Sequence, residues 1–250
     1  MKRLLFAVGF LTIFPLPERF VATREDMGGA ALYFVPVGVI IGLALITIDY
    51  GLGLVLPPLP VATLLVIAMI MVSGALHMDG LGDTADGFFS PASRERVLEI
   101  MKDSRLGSMG AIAIVSVFVL KVSSLASMGG GGSVAALFLA PVAGRCAMVA
   151  SLSLAPNASS TNGLGTIFTE KKSPANALWA ALFLFVTGLI TAGAGGIVIF
   201  AVTAMVVFAF ERLCRARIGG MTGDNHGALC ELAETAALLS ASATLAGGMV

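Results

Sequence analysis

Three aspartates stand close together in the run Leu76-His77-Met78-Asp79-Gly80-Leu81-Gly82-Asp83-Thr84-Ala85-Asp86-Gly87, which directly follows an apolar segment long enough to enter a membrane. On a helix that turns by about 100° per residue, Asp79, Asp83 and Asp86 point within about 60° of one another. Carboxylates that converge on one face repel unless a cation lies between them. Mg²⁺ typically takes one or two carboxylates and leaves further positions to substrate phosphates. The spacing therefore predicts a magnesium site that handles phosphate groups.

Glycines interrupt the same run at Gly80, Gly82 and Gly87. Each lowers helix stability by roughly 1 kcal/mol relative to alanine, so we expect these glycines to let a ligand approach the backbone. The alternative is a solvated acidic helix start, in which the helix dipole favours the acids and Gly87 ends the helix.

The composition is that of an integral membrane protein. Of the 250 residues, 57% are hydrophobic and only 12% are charged, whereas soluble domains have about 25% charged residues. The formal net charge is zero, and no basic patch interleaved with aromatic residues points to nucleic acid. The cysteines Cys146, Cys214 and Cys230 form no C-x-x-C pair, so we interpret them as reduced packing residues.

Hydropathy predicts an all-α fold, a polytopic integral membrane bundle of about seven transmembrane helices within a range of six to eight. The predicted spans are Ala30–Tyr50, Val61–Leu76, Gly107–Met128, Val134–Ala155, Ala177–Ala192, Ile197–Phe210 and Ala228–Gly247. The fifth and sixth form one hairpin bent around Gly193 in an alternative interpretation. The N-terminal stretch Leu4–Phe14 is too short for a hydrocarbon core that needs about twenty residues, so we expect an interfacial or re-entrant segment. Without a visible repeat or linker, residues 1–250 are expected to form one domain.

The connections between the predicted spans alternate in charge. Leu56–Pro60, Gly129–Ser133 and Gly193–Gly196 contain no lysine or arginine. The other connections carry Lys2, Arg3, Arg94, Arg96, Lys102, Arg105, Lys171, Lys172, Arg212, Arg215 and Arg217. Basic connections face the cytoplasm by the positive-inside rule. We therefore expect a multi-pass protein of the bacterial cytoplasmic (inner) membrane, with its N-terminus and its active site on the cytoplasmic side.

A second motif lies in the first long basic connection, Ile100–Gly110. Lys102 and Arg105 precede a glycine-rich helix start there. Free amide groups at such a start, with two cations beside them, suit phosphate oxygens. The alternative is a membrane anchor in which Ser104 or Ser108 caps the helix.

A third motif, Arg215–Gly227, again combines glycines with a hydroxyl, an acid and an amide ahead of a span. Its recurrence on the same predicted face indicates a function for Thr222 and Asp224. A plain turn in which Asp224 caps the helix explains the pattern nearly as well. His77 points away from the acid face of an ideal helix. It is therefore either part of the site or only a packed or interfacial histidine.

Arg145 is a lone charge in the middle of a predicted span. Such a charge costs at least about 2.5–3.5 kcal/mol on insertion scales, so Arg145 must face a partner. An acid of the cluster or a bound phosphate would satisfy it, and so would an ion pair with Asp49. Lys121 lies nearer a span end, where snorkelling or simple pairing is favoured.

In order along the chain, three motifs resemble the signatures of the cobalamin synthase family, the adenosylcobinamide-GDP ribazoletransferases. They are Leu76–Gly87, Met101–Gly107 and Gly219–Asp224, and the start of the chain at Ala7–Pro17 also fits. The resemblance implies an Mg²⁺-dependent phosphotransferase for substituted phosphate groups. Its substrates are adenosylcobinamide-GDP and α-ribazole or α-ribazole 5′-phosphate, and its products are adenosylcobalamin or its 5′-phosphate and GMP. This reaction is a late step of cobalamin biosynthesis.

The resemblance also implies roles for individual residues. Asp79, Asp83 and Asp86 hold Mg²⁺ on the pyrophosphate. Charge builds on the leaving GMP, and positioning plus electrostatic stabilisation provides most of the catalysis. The remaining assignments are Lys102 and Arg105 as catalytic cations, Asp103 or Asp224 as the base for the attacking hydroxyl, and Arg145, Ser104 and Thr222 as substrate phosphate ligands.

Two alternative functions remain. The run Asp83-Thr84-Ala85-Asp86-Gly87 matches the opening of the CDP-alcohol phosphotransferase pattern, but Phe88-Phe89-Ser90-Pro91 follows where an Ala-Arg pair is expected. An ion-coupled transporter belongs to a different class, and acids at a span end without visible repeats argue against it. The expected partners are the two substrates, the lipid bilayer, and a second copy of the chain or other corrinoid-pathway membrane proteins, but no nucleic acid.

Overall fold

The computed structural model describes residues 2–16, 20, 23–128, 131–158, 167–168 and 172–245. The predicted features at Pro17, Gly129, Lys171 and Gly247 lie outside these residues. The described part of the chain is helical and contains no strand, only an isolated bridge between residues 157 and 221. The predicted all-α membrane bundle is thereby confirmed.

The helices in chain order are α1 (Lys2–Leu11), α2 (Arg24–Gly28), a 3₁₀ turn (Ala31–Tyr33), α3 (Phe34–Gly53), α4 (Pro58–Val72), α5 (Leu76–Phe88), α6 (Arg94–Ile100), α7 (Ser108–Ala126), α8 (Gly131–Leu154), α9 (Pro174–Ala192), α10 (Ala194–Ile218) and α11 (Gly223–Leu245). Within the described ranges, six helices are long and apolar enough to cross a membrane, namely α3 with its 3₁₀ turn and α7 to α11. The pair α4 and α5, bent by 87°, makes a seventh candidate.

The chain turns sharply between α4 and α5, where Gly74 and Ala75 both adopt left-handed conformations with φ of 58° and 60°. A left-handed alanine costs roughly 1–2 kcal/mol, so the surrounding packing must impose it. A hydrogen bond from the Ile13 amide to the Val72 carbonyl (2.8 Å) fixes the segment after α1 to this corner. The predicted span Val61–Leu76 is therefore too long at its C-terminal end, because α4 ends at Val72. We treat α4 as the membrane-spanning part of the pair, and α5 as the separate helix that follows the 87° bend.

The alternative of one hairpin bent around Gly193 is wrong. Gly193 has φ of 55° and separates two full helices, α9 of 19 residues and α10 of 25 residues. The predicted span Ile197–Phe210 is too short, because α10 continues through a charged turn to Gly219, which ends it with φ of 81°. Hydropathy falls where a helix leaves the apolar layer, whereas backbone hydrogen bonding continues to the cap.

The N-terminal helix α1 has ten residues, which is too short to cross a membrane. Its residues Ala7 and Leu11 are fully buried. The ring of Phe10 lies 6.0 Å from that of Phe34 at the start of α3. This length agrees with the expectation that the N-terminal segment does not cross the membrane.

The centre of the bundle is the pair α8 and α11, both of which are largely buried. Helix α3 packs against α8 through glycines, since a Cβ at Gly38 would lie 2.7 Å from the Pro141 carbonyl oxygen. Helix α5 packs against the beginnings of α7 and α11. The acidic motif therefore lies where two spanning helices start.

Candidate active site

The acids of α5 gather at this end of the bundle. Asp79 is exposed, while Asp83 and Asp86 are half-buried. Asp224, in the first turn of α11, joins them, because a Cβ at Gly80 would lie 2.6 Å from the Asp224 carbonyl oxygen. The structure therefore brings one sequence-predicted acid from a distant motif to the face of α5.

The surroundings of Asp83 disfavour the charged form of its carboxyl group. Partial burial, and then the charges of Asp79, Asp224 and Asp86, raise the pKa of the Asp83 carboxyl to about 6. Like charges held together in this way favour a bound cation. Within the described ranges, however, no three His, Cys, Asp or Glu side chains have the arrangement of a metal site. The magnesium site at Asp79, Asp83 and Asp86 stays a prediction.

Asp86 has a contact that was not predicted. Its carboxylate accepts hydrogen bonds from the backbone N–H groups of Gly107 (2.7 Å) and Gly110 (2.8 Å). It thus caps α7 from another helix, where no local side chain does so. Asp86 thus takes two of the amides that were expected to bind substrate phosphate, and phosphate binding at this helix start stays a prediction. Capping by Ser104 or Ser108 is wrong, because the side chain that caps α7 is Asp86.

We expect Asp86→Asn to lower the free energy of unfolding by about 1–2 kcal/mol, because an amide offers one oxygen where the carboxylate offers two. The substitution also removes a negative charge from the positive end of the helix dipole. Thermal unfolding in detergent measures the loss, and Asp79→Asn on the exposed part of α5 is the matched control. Equal melting temperatures for the two variants would contradict the capping role.

The glycines of α5 face protein. A Cβ at Gly87 would lie 2.6 Å from the Met101 side chain, and one at Gly82 would lie 3.2 Å from Leu106. Together with the contact at Gly80, these distances show that the glycines allow helices to pack closely. The prediction that they let a ligand approach the backbone is wrong.

The loop before α7 contains an ion pair of its own. Arg105 donates to Asp103 through Nε (3.0 Å) and Nη2 (2.7 Å). Hydrogen bonds from Arg105 lower the pKa of the Asp103 carboxyl to about 2. A general base works best with a pKa near the working pH, so Asp103 is less suited than Asp224 to accept a proton. Lys102 and Ser104 are exposed in the same loop.

Thr222 caps α11. Its hydroxyl accepts from the Asn225 amide (3.3 Å), and the Asn225 Oδ1 accepts from the Thr222 amide (2.9 Å). This reciprocal pair has the form of a capping box, so the alternative in which Asp224 caps the helix is wrong. Asn225 also donates to the Thr84 hydroxyl (3.0 Å), which ties α11 to α5. The phosphate role of Thr222 stays a prediction.

The other end of α5 is held by a basic residue of the third motif. Arg217 donates through Nε to the Phe88 carbonyl (3.2 Å) and through Nη2 to the Ser90 carbonyl. Side-chain cations at a helix C-terminus satisfy its free carbonyls. The basic connection that carries Arg217 and the acids of α5 therefore lie at the same end of the bundle.

Arg145 lies in a separate, buried network that sequence reasoning missed. It donates to Glu234, and Lys121 donates to both Glu231 and Glu234 at 2.6 Å. The four side chains are at most 4% exposed. The predicted partners of Arg145, an acid of α5, a phosphate or Asp49, are wrong, while pairing of Lys121 is confirmed. Two cations and two acids cancel, which makes their burial tolerable.

A signal for this network exists in the sequence. Glu231 and Glu234 stand three residues apart within the last predicted span. Two other predicted spans contain one cation each, Lys121 and Arg145, so the charges balance. Matching opposite charges across predicted spans would have found the network.

Comparisons with known proteins agree with the motifs. Residues 3–242 match the family model described as cobalamin-5-phosphate synthase. The adenosylcobinamide-GDP ribazoletransferase of Acetivibrio thermocellus is 38% identical over 235 residues, which cover 94% of this chain and 95% of that protein. The protein of the same name from Roseiflexus sp. is 39% identical, covering 97% of this chain and 89% of its own length. That from Geotalea daltonii is 37% identical, covering 96% and 97%.

No solved structure matches the chain. The family match nevertheless spans almost all of the sequence, and the relatives align with nearly their full lengths. The chain belongs to the cobalamin-5-phosphate synthase family.

Proposed function

We propose that this protein is an adenosylcobinamide-GDP ribazoletransferase. It joins adenosylcobinamide-GDP to α-ribazole or its 5′-phosphate and releases GMP, and the product is adenosylcobalamin or its 5′-phosphate. The observation that carries the proposal is the gathering of Asp79, Asp83 and Asp224 at one end of a bundle whose relatives bear that name.

In this reaction a ribose hydroxyl attacks the phosphorus that is linked to the corrinoid. A new P–O bond forms, the pyrophosphate P–O bond breaks, and its electron pair leaves with GMP. Asp224 is our preferred base for the hydroxyl proton, because it lies beside the acids of α5 and Asp103 is paired with Arg105. The exposed Lys102 supplies positive charge for the phosphates of the donor.

The donor set fits a hard divalent cation. Asp79 and Asp83 offer carboxylate oxygens, and the charge of Asp79 already acts on Asp83. One or two carboxylates suffice for Mg²⁺, which neutralises charge on the phosphates when it is bound. We propose Asp79 and Asp83 as its protein ligands, with Asp86 engaged at α7 instead.

We further propose that this end of the bundle faces the cytoplasm of a bacterial inner membrane. Arg217 holds the end of α5, and Asp86 caps the helix that follows the first basic connection, so these two basic connections and the acids share one side. The positive-inside rule places that side in the cytoplasm, where nucleotides are available.

A turnover assay tests the proposed function. Purified protein in lipid nanodiscs, supplied with adenosylcobinamide-GDP, α-ribazole and Mg²⁺, is expected to release GMP in a one-to-one ratio with the joined product. Chelation with EDTA should stop the release and added Mg²⁺ should restore it. CDP-diacylglycerol with an alcohol acceptor is the control and should give no CMP. Absence of GMP release from folded protein would overturn the proposal.

A further inference from the structure

A cavity of about 200 Å³ lies where the start of α3, the end of α8 and the start of α9 meet. Its polar lining consists of two cations, two hydroxyls and an amide, namely Arg3, Lys172, Ser153, Ser173 and Asn176. Within the described ranges, no acidic side chain lines it. The cavity therefore presents positive charge and hydrogen-bond donors, the groups that recognise a phosphate.

Both cations of this cavity are accessible to a ligand. Lys172 is exposed, and its amine donates to the Ala155 carbonyl with one of the three N–H groups that a lysine carries. Partial burial lowers the pKa of this amine, so an anion beside it would favour the charged form. The Arg3 side chain is 40% exposed and lies 3.6 Å from Glu25, an exposed ion pair of the weak kind. The Arg3 guanidinium packs against Gly29, where a Cβ would lie 2.8 Å from its Cζ.

The start of α9 adds to the positive potential of the cavity. Ser173 precedes this helix, but its side chain makes no cap hydrogen bond. The positive end of the helix dipole favours an anion at such a start. The helix therefore strengthens the attraction that Arg3 and Lys172 exert on an anion.

The cavity lies at the end of the bundle that bears the acids of α5. Met221 exchanges backbone hydrogen bonds with Ala158 (3.0 Å) and Pro156 (2.8 Å), which join the end of α8 to the start of α11. This is the end that we propose to face the cytoplasm. Basic pockets between membrane helices on that side bind the headgroups of anionic lipids.

The surroundings of the cavity place it at the depth of lipid headgroups. Trp179 follows Asn176 by three residues on the same face of α9, and it is 39% exposed. Tryptophan is enriched where a membrane meets water. Leu32, which lines the cavity on the α3 side, and Leu182 of α9 are exposed apolar side chains that suit acyl chains.

We propose that this cavity binds the phosphate of an anionic phospholipid headgroup, with the acyl chains along the apolar surfaces of α3 and α9. Pockets for drug-sized molecules begin at about 300 Å³, so the cavity suits a single phosphate group and is too small for a nucleotide. A soluble phosphate would find the same cations but would leave the exposed leucines and Trp179 uncovered. Such lipid binding does not depend on the reaction that the protein catalyses.

Lipid titration followed by native mass spectrometry tests the site. Lipid-depleted protein in a neutral detergent is expected to bind one dioleoyl-phosphatidylglycerol at least tenfold more tightly than dioleoyl-phosphatidylcholine. The double variant Arg3→Gln with Lys172→Gln should weaken phosphatidylglycerol binding at least tenfold, because both cations of the cavity are removed. Arg96→Gln with Arg212→Gln is the matched control, since it removes two exposed cations that do not line the cavity. It should leave the tight binding unchanged.

A second variant keeps every charge. Gly29→Ala places a methyl group against the Arg3 guanidinium and displaces it from the cavity wall, while the φ of −89° at Gly29 suits alanine. We expect about two- to fivefold weaker phosphatidylglycerol binding and an unchanged melting temperature without lipid, so this variant serves even where the double variant fails to fold. Gly51→Ala is its control, because a Cβ at Gly51 meets nothing within 4 Å.

Two results would overturn the proposal. One is phosphatidylglycerol binding that neither Gly29→Ala nor the double variant weakens. The other is displacement of the lipid by inorganic phosphate at equal concentration, which would assign the cavity to a soluble anion.

Discussion

Asp83→Asn is expected to lower the rate of GMP release by about a hundredfold or more, the effect typical of removing one group that stabilises developing charge. The charges of Asp79 and Asp224 both act on Asp83. An amide keeps the shape of the carboxyl group but removes the charge that would hold a cation on the phosphates. A steady-state assay of GMP release measures the loss.

The same substitution is expected to leave the fold intact and even to stabilise it. A carboxyl group whose pKa is raised in the folded protein destabilises that protein when ionised. In chelator-treated protein at neutral pH, Asp83→Asn should therefore melt at the same or a higher temperature than the wild type. This difference should shrink as the pH falls through about 6, where the wild-type carboxyl takes up its proton. Asp86→Asn is the contrasting control, since it should lower the melting temperature. A destabilised Asp83→Asn protein would contradict the assignment.

Glu234→Gln is expected to reduce stability by about 3–5 kcal/mol, the usual cost of leaving a buried charge without its partner. Glu234 accepts hydrogen bonds from both Arg145 and Lys121, and all three side chains are at most 4% exposed. Thermal or denaturant unfolding in a fixed detergent measures the change.

The control for this prediction makes the same chemical change in another helix. Glu211 lies in α10, and its Oε1 has no hydrogen-bond partner among the described residues. Glu211→Gln should therefore have only a small effect. The double variant Lys121→Met with Glu231→Gln removes one charge of each sign and should be more stable than Lys121→Met alone. Equal losses for Glu234→Gln and Glu211→Gln would show that the buried network does not stabilise the bundle.

The number of spans was predictable because apolar length is a strong signal. The corner between α4 and α5 was not. Gly74 marks a turn in the sequence, but the left-handed Ala75 depends on packing. As a result, the acids were correctly placed on a helix, whereas the 87° bend between this helix and α4 was missed.

The site was predictable only where it depends on residues that are close together in the sequence. The helical period correctly grouped Asp79 and Asp83 on one face, but Asp86 bonds amides 21 and 24 residues away. No local pattern distinguishes such a cap from a metal ligand. The glycines show the same ambiguity, because a glycine that admits a ligand and one that admits another helix look alike in a sequence. Asp224 joined the site through a contact with Gly80 that is equally nonlocal.

The central claim is that the acids of α5 hold a metal ion beside the base Asp224. The most direct measurement is a structure of the protein with Mn²⁺ in place of Mg²⁺ and with adenosylcobinamide-GDP, in which anomalous scattering locates the metal. We expect the Mn²⁺ within coordination distance of Asp79 and Asp83, next to the pyrophosphate. Metal bound at the loop of Asp103, or no metal near α5 in protein that still releases GMP, would contradict the account.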